Sequence, residues 1–289
     1  MGRINPRCNA VRPDLADVRL RGQVEAERFV SGEPACIVAP YVGLHVKPAA
    51  DAGIGTQALY GEAALVFERK DDWAWIQLAG DGYTGYVPEG VLAAMTAGPA
   101  HRVRSLWAPV LPRPTIKAPA RMALPLGSCL AGAVEGDMLA LSGGGYVPLQ
   151  LVSPLASPSD PDFVAVALQM LGVPYVWGGK TPQGADCSGL VQLSMTMAGL
   201  RAPRDSDMQE AELGDPLLAG APLQRGDLVF WKGHVGIMVD GENLLHSNAY
   251  RMCVSVEPVA EAVARTTAAG SAVSSIRRLP RLVGERIPR

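Results

Sequence analysis

The sequence predicts a multidomain protein in which two small all-β barrels precede an α+β domain. Three observations predict this class: a short internal repeat, β-type patterning in its copies, and a Ser-, Pro- and Asp-rich stretch (SPLASPSDPD) followed by helical and then strand patterns. The expected units are an N-terminal extension (1–33), a first barrel (34–97), a second barrel (98–155) and the α+β domain (156–289).

The internal repeat has two matching stretches. KPAADAGIGTQALYGE (47–62) aligns with RPTIKAPARMALPLGS (113–128), and DGYTGYVPEGVL (81–92) aligns with GGGYVPLQLV (143–152). Short runs rich in Val, Ile, Trp and Tyr lie between Asp and Gly turn signals, which is typical of small barrels. We expect Trp73 and Trp75 to be part of the first barrel's structure, and a short helix within DLADVRLRGQVEAERFV (14–30).

Composition limits the possible partners and compartment. Apolar residues make up 48% of the 289 residues and the net charge is -2, so the chain can build cores and has no basic field for nucleic acid. The sequence has no apolar run long enough to span a bilayer and no apolar core of a secretion signal near Met1, so we expect neither a membrane partner nor export. Five scattered cysteines fit a reducing compartment, which favours the cytoplasm.

The α+β domain places three reactive side chains on separate elements. DFVAVALQMLG predicts a helix, a second helix is expected from about Cys187 to Met197, and DLVFW, HVGIMVD and NLLHS predict three antiparallel strands. Cys187 then starts a helix, where the helix dipole favours a thiolate, while His234 and His246 lie on adjacent strands. These residues can serve as nucleophile, base and orienting group.

Other interpretations of the same residues exist. Cys187 is also compatible with a buried core position, or with a zinc site that includes His234 and His246. Asn248 is a rival for the third position, and Asp186 is well placed to cap the helix.

The motifs in combination resemble a known family. PYVWGGKTPQGADCSGLVQ, RDS and GDLVFWKGHVGIMVDGENLLHS resemble the NlpC family of bacterial cell-wall cysteine peptidases, over about residues 160 to 260. The stretch from LYGE to GYTGYV resembles a bacterial SH3-type domain. The resemblance implies two SH3-like barrels before a papain-like catalytic domain, with Cys187 as nucleophile, His234 as base and His246 orienting it.

Barrels ahead of such a domain narrow the resemblance to γ-D-glutamyl-L-diamino acid endopeptidases. These cut peptides released from peptidoglycan, such as L-Ala-γ-D-Glu-diaminopimelate, between D-Glu and the diamino acid. The absence of an apparent signal peptide supports a role in recycling imported murein peptides, and we expect no metal or other cofactor. The resemblance also implies a set of substrate-binding residues: Tyr175 near the oxyanion, and Asp186, Ser188, Asp205 and Ser206 along the groove. For the substrate amine we expect Glu62 or Glu68, with Tyr83 as a wall.

Two further functions are compatible with these residues. One is a cell-wall binding protein whose peptidase domain is inactive, and the other is an amidase or acyltransferase on the same core. At the level of single residues, Asp205 and Ser206 are also compatible with a simple turn, and Trp177 with a core aromatic.

Overall fold

The N-terminal segment is extended chain with two short strands. The computed structural model describes residues 4–95, 98–158, 161–218 and 220–280. Strands β1 (Leu15–Asp17) and β2 (Arg28–Val30) pair in parallel around a single 3-10 turn, Val18–Leu20. Of the short helix expected within 14–30 only this single 3-10 turn forms, capped by Asp17 through the Arg19 amide, while Leu15 lies on a strand and packs on the first barrel.

The first barrel is one seven-stranded antiparallel sheet. Its strands are β3 (Glu33–Ile37), β4 (Tyr41–His45), β5 (Ile54–Leu59), β6 (Ala63–Lys70), β7 (Trp73–Leu78), β8 (Thr84–Pro88) and β9 (Leu92–Ala93), in the order β5-β4-β8-β7-β6-β3-β9. Alternate residues such as Ile37 and Ile76 fill its core. Trp75 is buried beneath the Arg12 guanidinium, 4.3 Å from the ring centre, and Trp73 packs edge-on against His45.

The second β unit consists of three small sheets around its own core. Its strands are β10 (His101–Val103), β11 (Trp107–Val110), β12 (Met122–Pro125), β13 (Cys129–Leu130), β14 (Gly132–Glu135), β15 (Met138–Leu141), β16 (Tyr146–Pro148) and β17 (Val152–Pro154). They form the orders β13-β10-β17, β11-β12 and β14-β15-β16.

The two repeat copies share a backbone path after their common Tyr-Val-Pro. Pro88, at φ -56° and ψ 134°, precedes a single 3-10 turn, Glu89–Val91. Pro148, at φ -57° and ψ 132°, precedes the equivalent turn, Leu149–Leu151. The repeat found in the sequence therefore extends to local conformation.

The third unit packs helices on an antiparallel sheet. Its elements are α1 (Phe163–Gln169), β18 (Lys180–Thr181), β19 (Gly184–Ala185), α2 (Cys187–Met197), α3 (Ser206–Glu212), β20 (Asp215–Pro216), β21 (Leu228–Trp231), β22 (His234–Met238), β23 (Asn243–Asn248), β24 (Cys253–Pro258), α4 (Val259–Ala268) and β25 (Val273–Arg278). The main sheet has the order β20-β25-β21-β22-β23-β24. Both predicted helices and the three predicted antiparallel strands are confirmed.

Helix α2 lies at the centre of this unit. It packs on α1 and on the face of the sheet formed by β22 and β23, and almost all of its residues are buried. Its apolar side chains join a large core cluster that includes Leu190, Phe230 and Val235. Within the described ranges, no helix is long and apolar enough to cross a membrane.

Candidate active site

The first turn of α2 holds Cys187 in a fixed position. Asp186 caps the helix, and its carboxylate accepts hydrogen bonds from the Gly189 amide at 2.7 Å and from the Gly178 amide at 2.9 Å. The cap therefore ties the start of the helix to the preceding loop. Capping is one of the two roles expected for Asp186.

Gly189 lets the helix approach the same loop closely. A Cβ atom at this position would lie 2.1 Å from the Gly179 carbonyl oxygen, a distance that no side chain tolerates. The glycine two residues after Cys187 is therefore required by packing, whatever the chemistry of the site.

Gly189→Ala is expected to destabilise the fold by roughly 1–3 kcal/mol, because the added methyl group forces α2 away from Gly179. Activity should fall with it, since Cys187 shares this helical turn. Thermal unfolding and turnover are measured together. Gly90→Ala is the control, because its Cβ would meet nothing within 4 Å. Equal melting temperatures for the two variants would contradict this packing argument.

Arg204 is a fully buried cation beneath the helix start. Its guanidinium donates to both Asp186 carboxylate oxygens, at 3.0 and 2.7 Å, and to the Ser188 hydroxyl at 2.8 Å. On its other side, Nε donates to the Thr56 hydroxyl of the first barrel at 2.7 Å. Arg204 therefore joins the barrel to the turn that carries Cys187. Its RDS motif is visible in the sequence, but the role of Arg204 was not predicted from it.

The Cys187 sulfur lies against the strand that carries His234. Burial and the Asp186 carboxylate raise the pKa of the Cys187 thiol to about 11, although the backbone amides of Val235 and Ser188 act in the opposite direction by hydrogen bonding to the sulfur. Burial and the neighbouring His246 lower the pKa of His234 to about 3. Both groups are therefore neutral near pH 7.

The two histidines are in direct contact. His234 Nε2 lies 2.9 Å from His246 Nδ1, and His246 Nε2 lies 2.8 Å from the Glu257 carboxylate. These contacts occupy nitrogens that a shared metal would need, which disfavours the zinc interpretation. Asn248 instead accepts from the Arg251 amide at 2.8 Å and donates to Ser255.

Glu257 extends this chain of contacts and was not predicted from the sequence. Its buried carboxylate accepts from Arg265 on α4, with Nη1 to Oε2 at 2.9 Å. Arg265 in turn stacks 4.2 Å from the Tyr250 ring centre. The contact depends on packing of α4 against β24, which no short motif records.

Tyr175 lies near the Cys187 sulfur, and the nearby Trp177 side chain does not enter the core. Burial and the nearby Cys187 thiolate charge raise the pKa of the Tyr175 hydroxyl to about 12. The expectation that Trp177 is a core aromatic is wrong, because its side chain is 71% exposed. Gly178 turns the chain at φ 76° directly after it, so the indole stays at the surface.

Asp205, directly before α3, contacts both the first barrel and the N-terminal segment. Ser206 begins α3, and the Asp205 carboxylate makes no side-chain cap to that helix. Instead it accepts from the Tyr83 hydroxyl of the first barrel at 3.2 Å and from Arg7 at 2.7 Å. Arg7 also pairs with Asp207 at 2.6 Å. The N-terminal segment and the first barrel therefore both contact the third unit at the start of α3.

Glu62 and Glu68 lie away from Tyr83's contact with Asp205. Glu62 pairs with Lys180 at 3.1 Å and lines a cavity of about 860 Å³ between the three units, and the described residues around this cavity include neither Cys187 nor Tyr83. Glu68 pairs with Arg12 at 2.7 Å. The carboxylate that accepts from the Tyr83 hydroxyl is Asp205.

Sequence comparison identifies both kinds of unit. Residues 172–272 match the NlpC/P60 family, and residues 44–92 match the bacterial dipeptidyl-peptidase SH3 domain. The chain is 27% identical over 241 residues to dipeptidyl-peptidase 6 of Lysinibacillus sphaericus, covering 74% of this chain and 87% of that protein. It is 26% identical over 246 residues to a γ-D-glutamyl-L-lysine dipeptidyl-peptidase of Bacillus cereus, covering 71% of this chain and 70% of that protein.

A solved structure shares the fold over most of the chain. The crystal structure of an NlpC/P60 family protein from Bacillus cereus superposes with a TM-score of 0.73 at 22% identity, covering 86% of this chain and all of that one. Together with the sequence matches, this likeness accounts for the barrel as well as the unit that holds Cys187. The chain therefore contains a domain of the NlpC/P60 cysteine peptidase family, matched over residues 172–272, behind a bacterial SH3 domain matched over residues 44–92.

Proposed function

We propose that the protein hydrolyses the γ-D-glutamyl-L-diamino acid bond of peptidoglycan stem peptides, with Cys187 as nucleophile and His234 as base. The observation that carries the proposal is the sulfur of Cys187 at the start of α2, against the amide of Val235, whose chain neighbour His234 lies 2.9 Å from His246. The choice of bond is supported by the name of one relative, a γ-D-glutamyl-L-lysine dipeptidyl-peptidase.

The proposed reaction runs through a thioester. Sγ of Cys187 bonds to the γ-carbonyl carbon of D-Glu while His234 takes the thiol proton, since burial favours the neutral forms of both groups. The backbone N–H groups at the start of α2 and the Tyr175 hydroxyl stabilise the oxyanion. His234 then gives its proton to the leaving amine as the C–N bond breaks. Water, deprotonated by His234, hydrolyses the thioester.

The proposed substrate groove runs from Tyr175 toward Asp205. Asp186 and Ser188 lie midway along the groove, where the buried Arg204 holds their side chains from beneath. Ser206 begins α3 at the far end of the groove. We assign the substrate's free amine to Asp205 and Tyr83, because Asp205 shares the cation of Arg7 with Asp207. This assignment replaces Glu62, because Glu62 lines a cavity whose described residues include neither Cys187 nor Tyr83.

We propose that the architecture includes two SH3-like barrels and a papain-like core. The shared path after Pro88 and Pro148 supports a second barrel over 98–155. The papain-like arrangement is supported by the position of Cys187 at the start of α2, since this helix packs against β22 and β23, the strands that carry His234 and His246. We also propose a cytoplasmic role in recycling murein peptides, which predicts faster cleavage of free tripeptide than of intact wall.

The test is incubation of the protein with L-Ala-γ-D-Glu-diaminopimelate, with products followed by mass spectrometry beside Cys187→Ala. Free diaminopimelate and L-Ala-D-Glu are expected from the unmodified protein alone. A lysine-containing peptide tests which diamino acid is preferred. An N-acetylated peptide tests whether the substrate needs a free amine. If the peptide stays intact and the protein binds wall fragments, the alternative function of a cell-wall binding protein is favoured. Cleavage at another bond would favour an amidase.

A further inference from the structure

Glu257 ends the chain of contacts that begins at the histidine pair. On β24 it points to the same face of the sheet as Ser255, the residue that pairs with His246, so its carboxylate reaches the His246 ring at 2.8 Å. The carboxylate is buried and also accepts two hydrogen bonds from Arg265. Arg251 lies at 3.9 Å from the same group.

These contacts determine where the protons lie. Hydrogen bonding from Arg265 holds the pKa of Glu257 below its usual range, so the carboxylate is ionised and only accepts. Burial lowers the pKa of His246, so its ring carries one proton near pH 7, and that proton must be on Nε2, facing Glu257. Nδ1 of His246 is then an acceptor, and His234 Nε2 must donate to it across 2.9 Å.

We propose that Glu257 is a positioning residue that sets the tautomers of both histidines and leaves Nδ1 of His234 as the basic nitrogen. Resting on the proposed function, this nitrogen is the one that takes the proton of Cys187. Glu257 acts through its contact with His246. The other charged groups near this path are Asp186 beside His234, and Arg251 and Arg265 beside Glu257.

Glu257→Gln is the informative variant because it keeps the shape and removes the charge. Its amide oxygen is expected to stay with Arg265, which turns the NH₂ group toward His246 Nε2. His246 then carries its proton on Nδ1 and His234 does the same, so the nitrogen needed as base is blocked. We expect kcat to fall at least about 100-fold with little change in KM, in line with the effect of a wrong histidine tautomer in other triads.

Nitrogen-15 NMR reads the tautomers directly and does not depend on turnover. The chain has four histidines, so single His→Gln variants assign the signals. His234 and His246 are expected as Nε2–H tautomers in the unmodified protein and as Nδ1–H tautomers in Glu257→Gln. Glu257→Asp, which keeps an ionised acceptor, should restore the first pattern and most of kcat.

The exposed Glu261→Gln on α4 is the control, because it removes the same charge near Arg265 without touching His246. It should leave kcat and both tautomers unchanged. The proposal is overturned by an Nδ1–H tautomer of His234 in the unmodified protein, by full activity of Glu257→Gln, or by a loss of activity with unchanged tautomers. A protein that cleaves no stem peptide yet shows the expected tautomers would refute the proposed function alone.

Discussion

Cys187→Ala is expected to lower the rate of peptide hydrolysis at least about 10⁴-fold, because the proposed thioester forms on its sulfur. The fold should persist, since alanine keeps the Cβ atom and the helix cap by Asp186 does not involve the sulfur. His234→Ala should lower the rate about as much. The double variant should lower the rate no more than either single variant, as expected for residues that act as a unit. Steady-state rates and melting temperatures are the measurements.

Cys36→Ala is the matched control for the loss of a thiol. Cys36 lies on β3 of the first barrel, where it pairs with Ala63 and Ala93. Hydrolysis at the unmodified rate is expected from this variant. Substantial turnover by Cys187→Ala would contradict the assignment of the nucleophile.

Arg204→Met is expected to destabilise the protein by about 3–5 kcal/mol, because it leaves the buried Asp186 carboxylate without its cation. The same change removes the hydrogen bond to Thr56 that joins the barrel to the turn of Cys187. Activity should fall as well, since Asp186 positions Cys187. Urea unfolding followed by tryptophan fluorescence measures the loss of stability.

Arg69→Met is the control for Arg204, because its pairs with Glu33 and Glu89 are longer and exposed. Such surface pairs contribute about 1 kcal/mol or less. Arg204→Lys should recover only part of the stability, since one ammonium cannot span Thr56 and both carboxylate oxygens. Equal unfolding midpoints for Arg204→Met and Arg69→Met would refute the buried ion pair as a structural element.

Local sequence patterns were sufficient to predict the elements that carry the candidate triad. The helix starting at Cys187 and the strands with His234 and His246 follow from apolar runs and Gly or Asp turn signals. The N-terminal segment shows the limit of this approach. Its charged, mildly periodic sequence suggested a helix, but packing of Leu15 on the barrel favours extended chain.

Contacts between distant parts of the chain could not be predicted from patterns. Arg204 reaches Thr56 across 148 positions, and Arg7 reaches Asp205 across 198. Glu62 and Glu68 looked equally free in the sequence, yet each is paired with a cation. Which carboxylate lies near the Tyr83 hydroxyl depends on how the units pack, and a single sequence carries no record of that.

Reversible blocking of the Cys187 sulfur tests its role as nucleophile most directly. The protein is treated with methyl methanethiosulfonate, and peptide mapping gives the blocked fraction of each cysteine beside the rate of stem-peptide hydrolysis. We expect the rate to fall to zero in proportion to blocking of Cys187, and to return when dithiothreitol removes the group. Undiminished hydrolysis by protein with Cys187 fully blocked would contradict the proposed chemistry.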